Sequence, residues 1–200
     1  MDEDALILAV RARAEDPANR TDWADRWPSE LAPTATPDQI IQAERVLQCT
    51  LHSLHRRLLH EVGNGGFGPG GGLIGLPGGH VDDDGRSVIE LRQQLFADEE
   101  GKGVLAQVVP LCDWGCGAWS CLDEDTGAVL TLDEYGLVDT GLSLHEWMTA
   151  WVSGVDLAEK LFTTEERSGF NPFTRKPMTA RLRSRPIGTP YIGRINEPRS

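Results

Sequence analysis

Cys112, Cys116 and Cys121 invite chemistry first, because thiolates spaced Cys-x3-Cys-x4-Cys could contribute to a tetrahedral zinc site. The spacing argues against it. No Cys-x2-Cys knuckle is present, and if the segment runs as a strand, the odd interval from Cys116 to Cys121 sends those two side chains to opposite faces. Together with Cys49 they read as reduced thiols that pack. A calcium loop fails in the same way. The best frame starts at His80 and places Asp82, Asp84 and Gly85 at the third, fifth and sixth positions, but the first ligand is then histidine and the twelfth is Leu91. Nucleophilic catalysis would need one of His52, His55, His60, His80 or His145 beside an activated Ser or Cys, and no Gly-x-Ser-x-Gly elbow occurs. His52, His55 and His60 lie on or beside an arginine-containing helix, where exposed positions are expected. The sequence thus assigns no catalytic residue, no metal and no cofactor.

The run from Gly63 to Gly79 holds ten glycines in seventeen residues, and within it Gly63-x-Gly65-x-x-Gly68 spells the dinucleotide-binding fingerprint. That chemistry needs a strand, then the glycines, then a helix whose N-terminal amides receive the pyrophosphate. Here a helix comes first: Leu54, Leu58, Leu59 and Val62 share one face, and Gly63 is expected as its left-handed C-cap. A Walker A loop is also excluded, since no Lys or Arg lies between Arg57 and Arg86. Gly65 and Gly66 are read as structural, at positive backbone angles that a Cβ would penalise.

The elements around this run are signed in the sequence. Residues 5–14 are strong helix formers. Thr36, Pro37 and Gln39 predict a capped helix that buries Ile40, Ala43 and Leu47. Asp82-Asp83-Asp84-Gly85 predicts a turn, and Ser87–Phe96 a helix with Val88, Leu91 and Leu95 inward. Strands are expected at Val104–Val109, Ala118–Leu122 and Ala128–Leu132, the last two joined by the loop Asp123–Gly127. Ser143 and Glu146 form a second capping box ahead of an apolar stripe of Leu144, Trp147, Met148 and Trp151, which Gly154 ends. Beyond Thr163 the chain is rich in arginine and proline without hydrophobic periodicity, so it is expected to be extended and poorly ordered on its own.

Three blocks of these residues resemble the SUKH superfamily, the group related to the yeast Smi/Knr cell-wall regulators. They are Leu54–Gly70 with Leu73–Leu76, then Val109–Asp123, then Leu142–Trp151, in the family's order. The chain departs from the family pattern at His52-Ser53, where proline usually precedes the helix. The resemblance implies a single α+β domain with a mostly antiparallel sheet and flanking helices, spanning residues 36–163. Residues 1–35 would be an N-terminal helix and proline-containing lead, and residues 164–200 a basic tail. The family motif residues it marks are Asn64, Gly65, Gly66, Phe67, Gly68, Asp113, Trp114, Trp119 and Trp147. It further implies non-enzymatic protein binding, most often as a bacterial immunity protein against a secreted toxin. A regulatory scaffold of the Smi/Knr type is the alternative, and an enzyme whose site no motif marks is the third.

Charge narrows the partner. The net charge is −12, but residues 1–166 carry 11 basic and 30 acidic side chains, a balance of −19, whereas residues 167–200 carry 8 and 1, a balance of +7. An acidic body repels nucleic-acid backbones, and it either steers toward a basic protein, a toxin such as a basic nuclease among them, or is a solvated surface that serves solubility. The clustered acids Asp82, Asp83, Asp84, Asp123 and Asp125 are the candidate partner-binding residues. The acidic start Met1-Asp2-Glu3-Asp4 lacks the charge pattern of a signal peptide, and no apolar window reaches the roughly 18 residues of a membrane span, so a cytoplasmic, membrane-free protein is expected.

Overall fold

The computed structural model describes residues 1–16, 31–97, 105–170 and 177–191. They form an α+β arrangement around a five-stranded antiparallel sheet. Helix α1 (Glu3–Glu15) leads into α2 (Pro37–Leu47) and α3 (Ser53–Arg57), and after the glycine run comes α4 (Val88–Leu95). Strands β1 (Val108–Gly115), β2 (Ala118–Asp123), β3 (Ala128–Asp133) and β4 (Gly136–Ser143) then follow as sequential antiparallel neighbours. Helices α5 (Leu144–Val152) and α6 (Leu157–Leu161) precede β5 (Phe162–Phe170), β6 (Pro177–Pro186) and β7 (Thr189–Pro190). Among the described residues no helix is long and apolar enough to cross a membrane.

The capping signals act where the sequence places them. Thr36 Oγ1 accepts from Gln39 N at 3.2 Å while Gln39 Oε1 accepts from Thr36 N at 2.9 Å, and Ser143 with Glu146 repeats the device at α5. Ile40, Ala43 and Leu47 are buried, as are Leu144, Trp147, Met148 and Trp151. Alternation along the strands divides the core. Val109, Leu122 and Val129 face the helices, while their neighbours Val108, Cys121 and Leu130 form a separate cluster with Leu105, Leu137 and Tyr191. Leu6, Ile7 and Val10 of α1 join the helix-side core beside Trp147 and Met148, so residues 1–16 pack with the rest. The proline-containing stretch from Pro17 to Pro28 lies outside the described residues.

Several expectations are corrected. The helix over residues 54–62 forms, but it widens after Arg57 into a π-turn, Leu58–Val62, closed by Gly63 N donating to Leu58 O at 3.3 Å. Consecutive leucines here enter different clusters, Leu58 that of Leu54 and Leu59 that of Leu47. Gly63 is extended at φ 179°, not left-handed, and it is required for space: a Cβ would lie 2.9 Å from Ala32 O. The first strand begins at Val108 rather than at Val104, which lies outside the described residues, and it continues past Pro110 to Gly115. Two bulges, at Pro110/Cys112 and Asp113/Gly115, accommodate the proline's missing N–H and turn Trp114 inward. Strand β4 carries no alternation because it is half-exposed along most of its length, and so the sequence does not announce it. The basic tail is extended but paired: β5 and β6 make an antiparallel hairpin, and β7 pairs with β4 through Val138 and Asp139. The tail residues 171–176 and those beyond Tyr191 lie outside the described residues.

The glycine run covers the outer edge of β1. Ile74 N donates to Leu111 O and Gly71 N to Asp113 O, both at 2.7 Å, while Arg92 Nε reaches Val108 O at 2.9 Å. Asn64 organises the run. Its side chain accepts from Leu76 N at 2.8 Å and donates to Leu76 O at 3.3 Å, its own N–H donates to Pro33 O, and its carbonyl accepts from His80 N. Backbone comes so close to this residue that a Cβ at Gly75 or Gly79 would sit 2.2 Å from Asn64 O. Gly65 and Gly66 have φ of 82° and 85°, but their surroundings differ: a Cβ at Gly65 would meet Leu73 O at 2.4 Å, whereas one at Gly66 would meet only His80 side-chain atoms, at 3.5 Å.

That difference separates strain from collision. Gly66→Ala is expected to cost about 1–2 kcal/mol from the left-handed backbone alone, and Gly65→Ala distinctly more. Thermal unfolding of both variants beside the parent checks the order, and equal midpoints for the two would refute it.

Candidate functional site

A cleft of about 370 Å³ opens where the glycine run, the end of β1 and the α5–α6 turn meet. Gly70 and Gly71 form one wall, and only glycine fits there, since a Cβ at Gly70 would lie 2.9 Å from Asp113 O and 3.2 Å from the Trp114 ring. Bulged β1 supplies Asp113 and Trp114. Helix α5 supplies Trp151 from its last turn, after which Gly154, at φ 76°, turns the chain so that Asp156 can cap α6 by accepting from Ala158 N at 2.9 Å. Arg13 of α1 completes the lining, its guanidinium 5.0 Å from the Trp151 ring centroid and its Nη1 donating to Val152 O at 3.3 Å. Asp83 lies on the rim side, from the turn that precedes α4.

Three carboxylates therefore share the cleft with one guanidinium. Asp113 is half-buried, and its Oδ1 accepts from Gly115 N at 2.6 Å. Burial raises its pKa above the ordinary aspartate value, and the neighbouring charges of Asp83 and Asp82 add to that, against the Gly115 hydrogen bond and Arg86. A carboxyl whose folded pKa is raised favours its protonated form, so ionised Asp113 subtracts stability as pH rises through that range. His80, beneath the glycine run, shifts the other way: burial lowers its pKa and keeps the ring neutral, with its Nε2 3.2 Å from Gly71 O.

The five acids singled out in the sequence do not share one role. Asp83, Asp84 and Asp125 are exposed. Asp82 is buried and spent on its own turn, accepting from Asp84 N, Arg86 N and Arg86 Nε. Asp123 is buried too, its Oδ1 accepting from Asp125 N at 3.0 Å and its Oδ2 from Tyr191 Oη at 3.0 Å. The two loops also line different depressions, Asp83 the cleft and Asp125 a shallower one with Glu44, Cys49 and Gln107. Of the motif residues, Asn64, Phe67, Trp114 and Trp147 are buried, Trp119 is half-buried, and Gly68 is left-handed at φ 106°. Cys49, Cys112 and Cys121 are buried, and Cys116 is exposed in the β1–β2 turn at φ 56°. Burial raises the Cys49 thiol to about 11, with like charge from Glu124 adding to it. Among the described residues, no three His, Cys, Asp or Glu side chains are grouped to hold a metal ion.

One buried polar pair escaped the sequence reading. His55 and Glu124 are 1% and 3% exposed, with His55 Nδ1 2.7 Å from Glu124 Oε1 and His52 N donating to Glu124 Oε2 at 2.6 Å. The pair locks the start of α3 to the β2–β3 hairpin, and the expected exposure of His55 is corrected. Its burial was readable, because residues 55, 59 and 62 fall at i, i+4 and i+7. Arg13 and Asp156 in the cleft had no such signal, since each is brought there by a helix remote in sequence from the glycine run.

Glu124→Ala is expected to destabilise by about 1–3 kcal/mol, the usual cost of leaving buried hydrogen-bonding groups, here the His55 ring and His52 N, without their partner. Asp125→Ala, one residue along and exposed, should stay within about 0.5 kcal/mol of the parent. Urea unfolding of the two variants decides it, and a Glu124→Ala midpoint equal to that of Asp125→Ala would refute the structural role.

No protein-family model matches the chain and no curated protein matches it, so what the cleft can do rests on its own residues.

Proposed function

We propose that the chain is a SUKH-like domain that acts by binding, as an immunity protein that neutralises a basic toxin by stoichiometric occlusion of its active face. One observation carries the reading. The three blocks that resemble the family, far apart in sequence, converge on one core, where Phe67 and Leu73, Trp114, and Trp147 with Trp151 pack together beneath the acidic cleft. A binding function also accords with the charge, because exposed carboxylates accelerate encounter with a positive partner while buried contacts control how long it stays.

Capture of a partner from the source cell, identified by mass spectrometry, is the first test. Association kinetics with that partner are then expected to slow steeply with added salt, and the triple variant Asp83→Asn, Asp84→Asn, Asp125→Asn should slow association by about tenfold with a smaller effect on dissociation. Asp82 and Asp123 are left intact because their carboxylates hold turns. An acidic partner, or association indifferent to both salt and the triple variant, would overturn the reading.

A further inference from the structure

The basic tail folds into a two-stranded ribbon, β5 with β6. Its base is anchored to the body. Phe162 meets Trp114 edge-on at 5.7 Å between ring centroids, Ile187 N donates to Leu161 O at 2.8 Å, and the Arg185 guanidinium lies 5.0 Å from the Tyr135 ring centroid. Above the base, Thr163, Thr164, Glu165 and Glu166 are all exposed, and so is Ser168. Successive residues of a strand point to opposite faces, so four exposed neighbours in a row leave both faces of the ribbon in solvent there. Among the described residues β5 pairs with β6 and neither pairs with another strand, so the outer edge of each lies outside any ladder. A two-stranded ribbon standing alone is marginal in water, and an unblocked edge recruits a further strand.

The two edges differ in what they could recruit. Strand β6 begins and ends with proline, Pro177 and Pro186, which have no N–H to donate, and its charges are Arg181, Arg183 and Arg185 with no acid among them. Two such edges would bring like charge together. Strand β5 has no proline, and its charges run Glu165-Glu166-Arg167, acid and base on one edge.

We propose that two copies of the chain pair through the outer edges of β5, antiparallel about a twofold axis at Glu166, so that two ribbons become one four-stranded sheet in the order β6-β5-β5-β6. This interface is independent of the partner-binding reading. A twofold axis perpendicular to the sheet keeps each side chain on its own face, which restricts the pairing to registers that set one residue opposite itself. With Glu166 at the axis, Glu165 of each copy lies opposite Arg167 of the other, giving two opposite-charge pairs on one face. Moving the axis one residue either way removes both pairs. On the other face the row across the joined sheet reads Arg181, Glu166, Glu166, Arg181, because Glu166 already lies opposite Arg181 within one ribbon. Each of the two facing carboxylates therefore has an arginine position beside it. Glu165 accepts from Ser184 Oγ at 2.9 Å, and a carboxylate has the capacity to accept further hydrogen bonds.

Sedimentation velocity of the full-length protein over a range of concentrations tests this. A reversible monomer–dimer equilibrium is expected, with a Kd of roughly 10–100 µM because a single strand edge makes a small interface. Glu165→Arg should weaken dimerisation by about tenfold or more, since it replaces two opposite-charge pairs with two like-charge pairs. The double variant Glu165→Arg, Arg167→Glu exchanges the charges and should restore the dimer. Thermal melts at a concentration where the parent is monomeric check that each variant folds. A second measurement fixes the register. In a Cys116→Ser background, Glu166→Cys should form a covalent dimer on oxidation with copper–phenanthroline, because residues facing each other across antiparallel strands lie within disulfide reach. Glu134→Cys, exposed on the β3–β4 turn, should not. A mass that stays monomeric up to about 1 mM, a dimer that Glu165→Arg leaves intact or that the charge exchange fails to restore, open-ended assemblies, or no cross-link through Glu166→Cys would each overturn the proposal.

Discussion

Asn64 is where the local geometry of the glycine run becomes a property of the whole sheet. It is 1% exposed and connects Pro33, Leu76 and His80 through backbone and side-chain hydrogen bonds. With those connections made, the run lies flat enough for Ile74 and Gly71 to reach the carbonyls of β1. Each bond is modest in isolation, but every group involved is one that would be costly to bury unpaired. The glycines follow from this: backbone passing within van der Waals distance of a buried amide has no room for a Cβ at Gly75 or Gly79. The bulged end of β1 is then held against Gly70 and Gly71, and the cleft exists because these surfaces meet.

Local rules carried much of this into the sequence. The capping boxes of α2 and α5, the buried faces of those helices, and the loop between β2 and β3 were readable, because each depends on residues within a turn or two of one another. What stayed hidden depends on distant partners. Strand β4 is defined by pairing with β3 and β7 and not by its own pattern, and the tail forms strands because β5 and β6 find each other. The π-turn at Leu58–Val62 closes through Gly63 N and Leu58 O, at the point where Gly63 is held against Ala32, a contact remote in sequence. The candidate site shows the same division. Asp83 and the glycines were visible as a motif, whereas Arg13 and Asp156 reach the cleft only through the packing of α1 and α6.

Carboxylates show how little residue type says about role. Asp82, Asp123 and Glu124 lie in the same acidic runs as Asp83, Asp84 and Asp125, yet the first three are buried and committed to turn amides, Arg86, Tyr191 or His55. A charge run read as one surface is therefore two populations, one that holds the loops and one that faces outward. The inward set also fixes the outward set, since Asp82 and Asp123 shape the turns from which Asp83 and Asp125 project.

Asn64 is followed by Gly65, the pairing in which an asparagine side chain is most readily attacked by the next backbone nitrogen to give a cyclic imide and then aspartate or isoaspartate. The fold withholds both reacting groups. Gly65 N donates to Gly63 O at 2.8 Å, and the Asn64 amide is held between the N–H and the carbonyl of Leu76. An acid at this position would set a carboxylate against the Leu76 carbonyl in a site closed to water. Chemical ageing at this bond is thus suppressed while the chain is folded and unopposed while it is unfolded, and the lesion it leaves is one the native packing cannot take back. The time a molecule spends unfolded would be recorded at this bond.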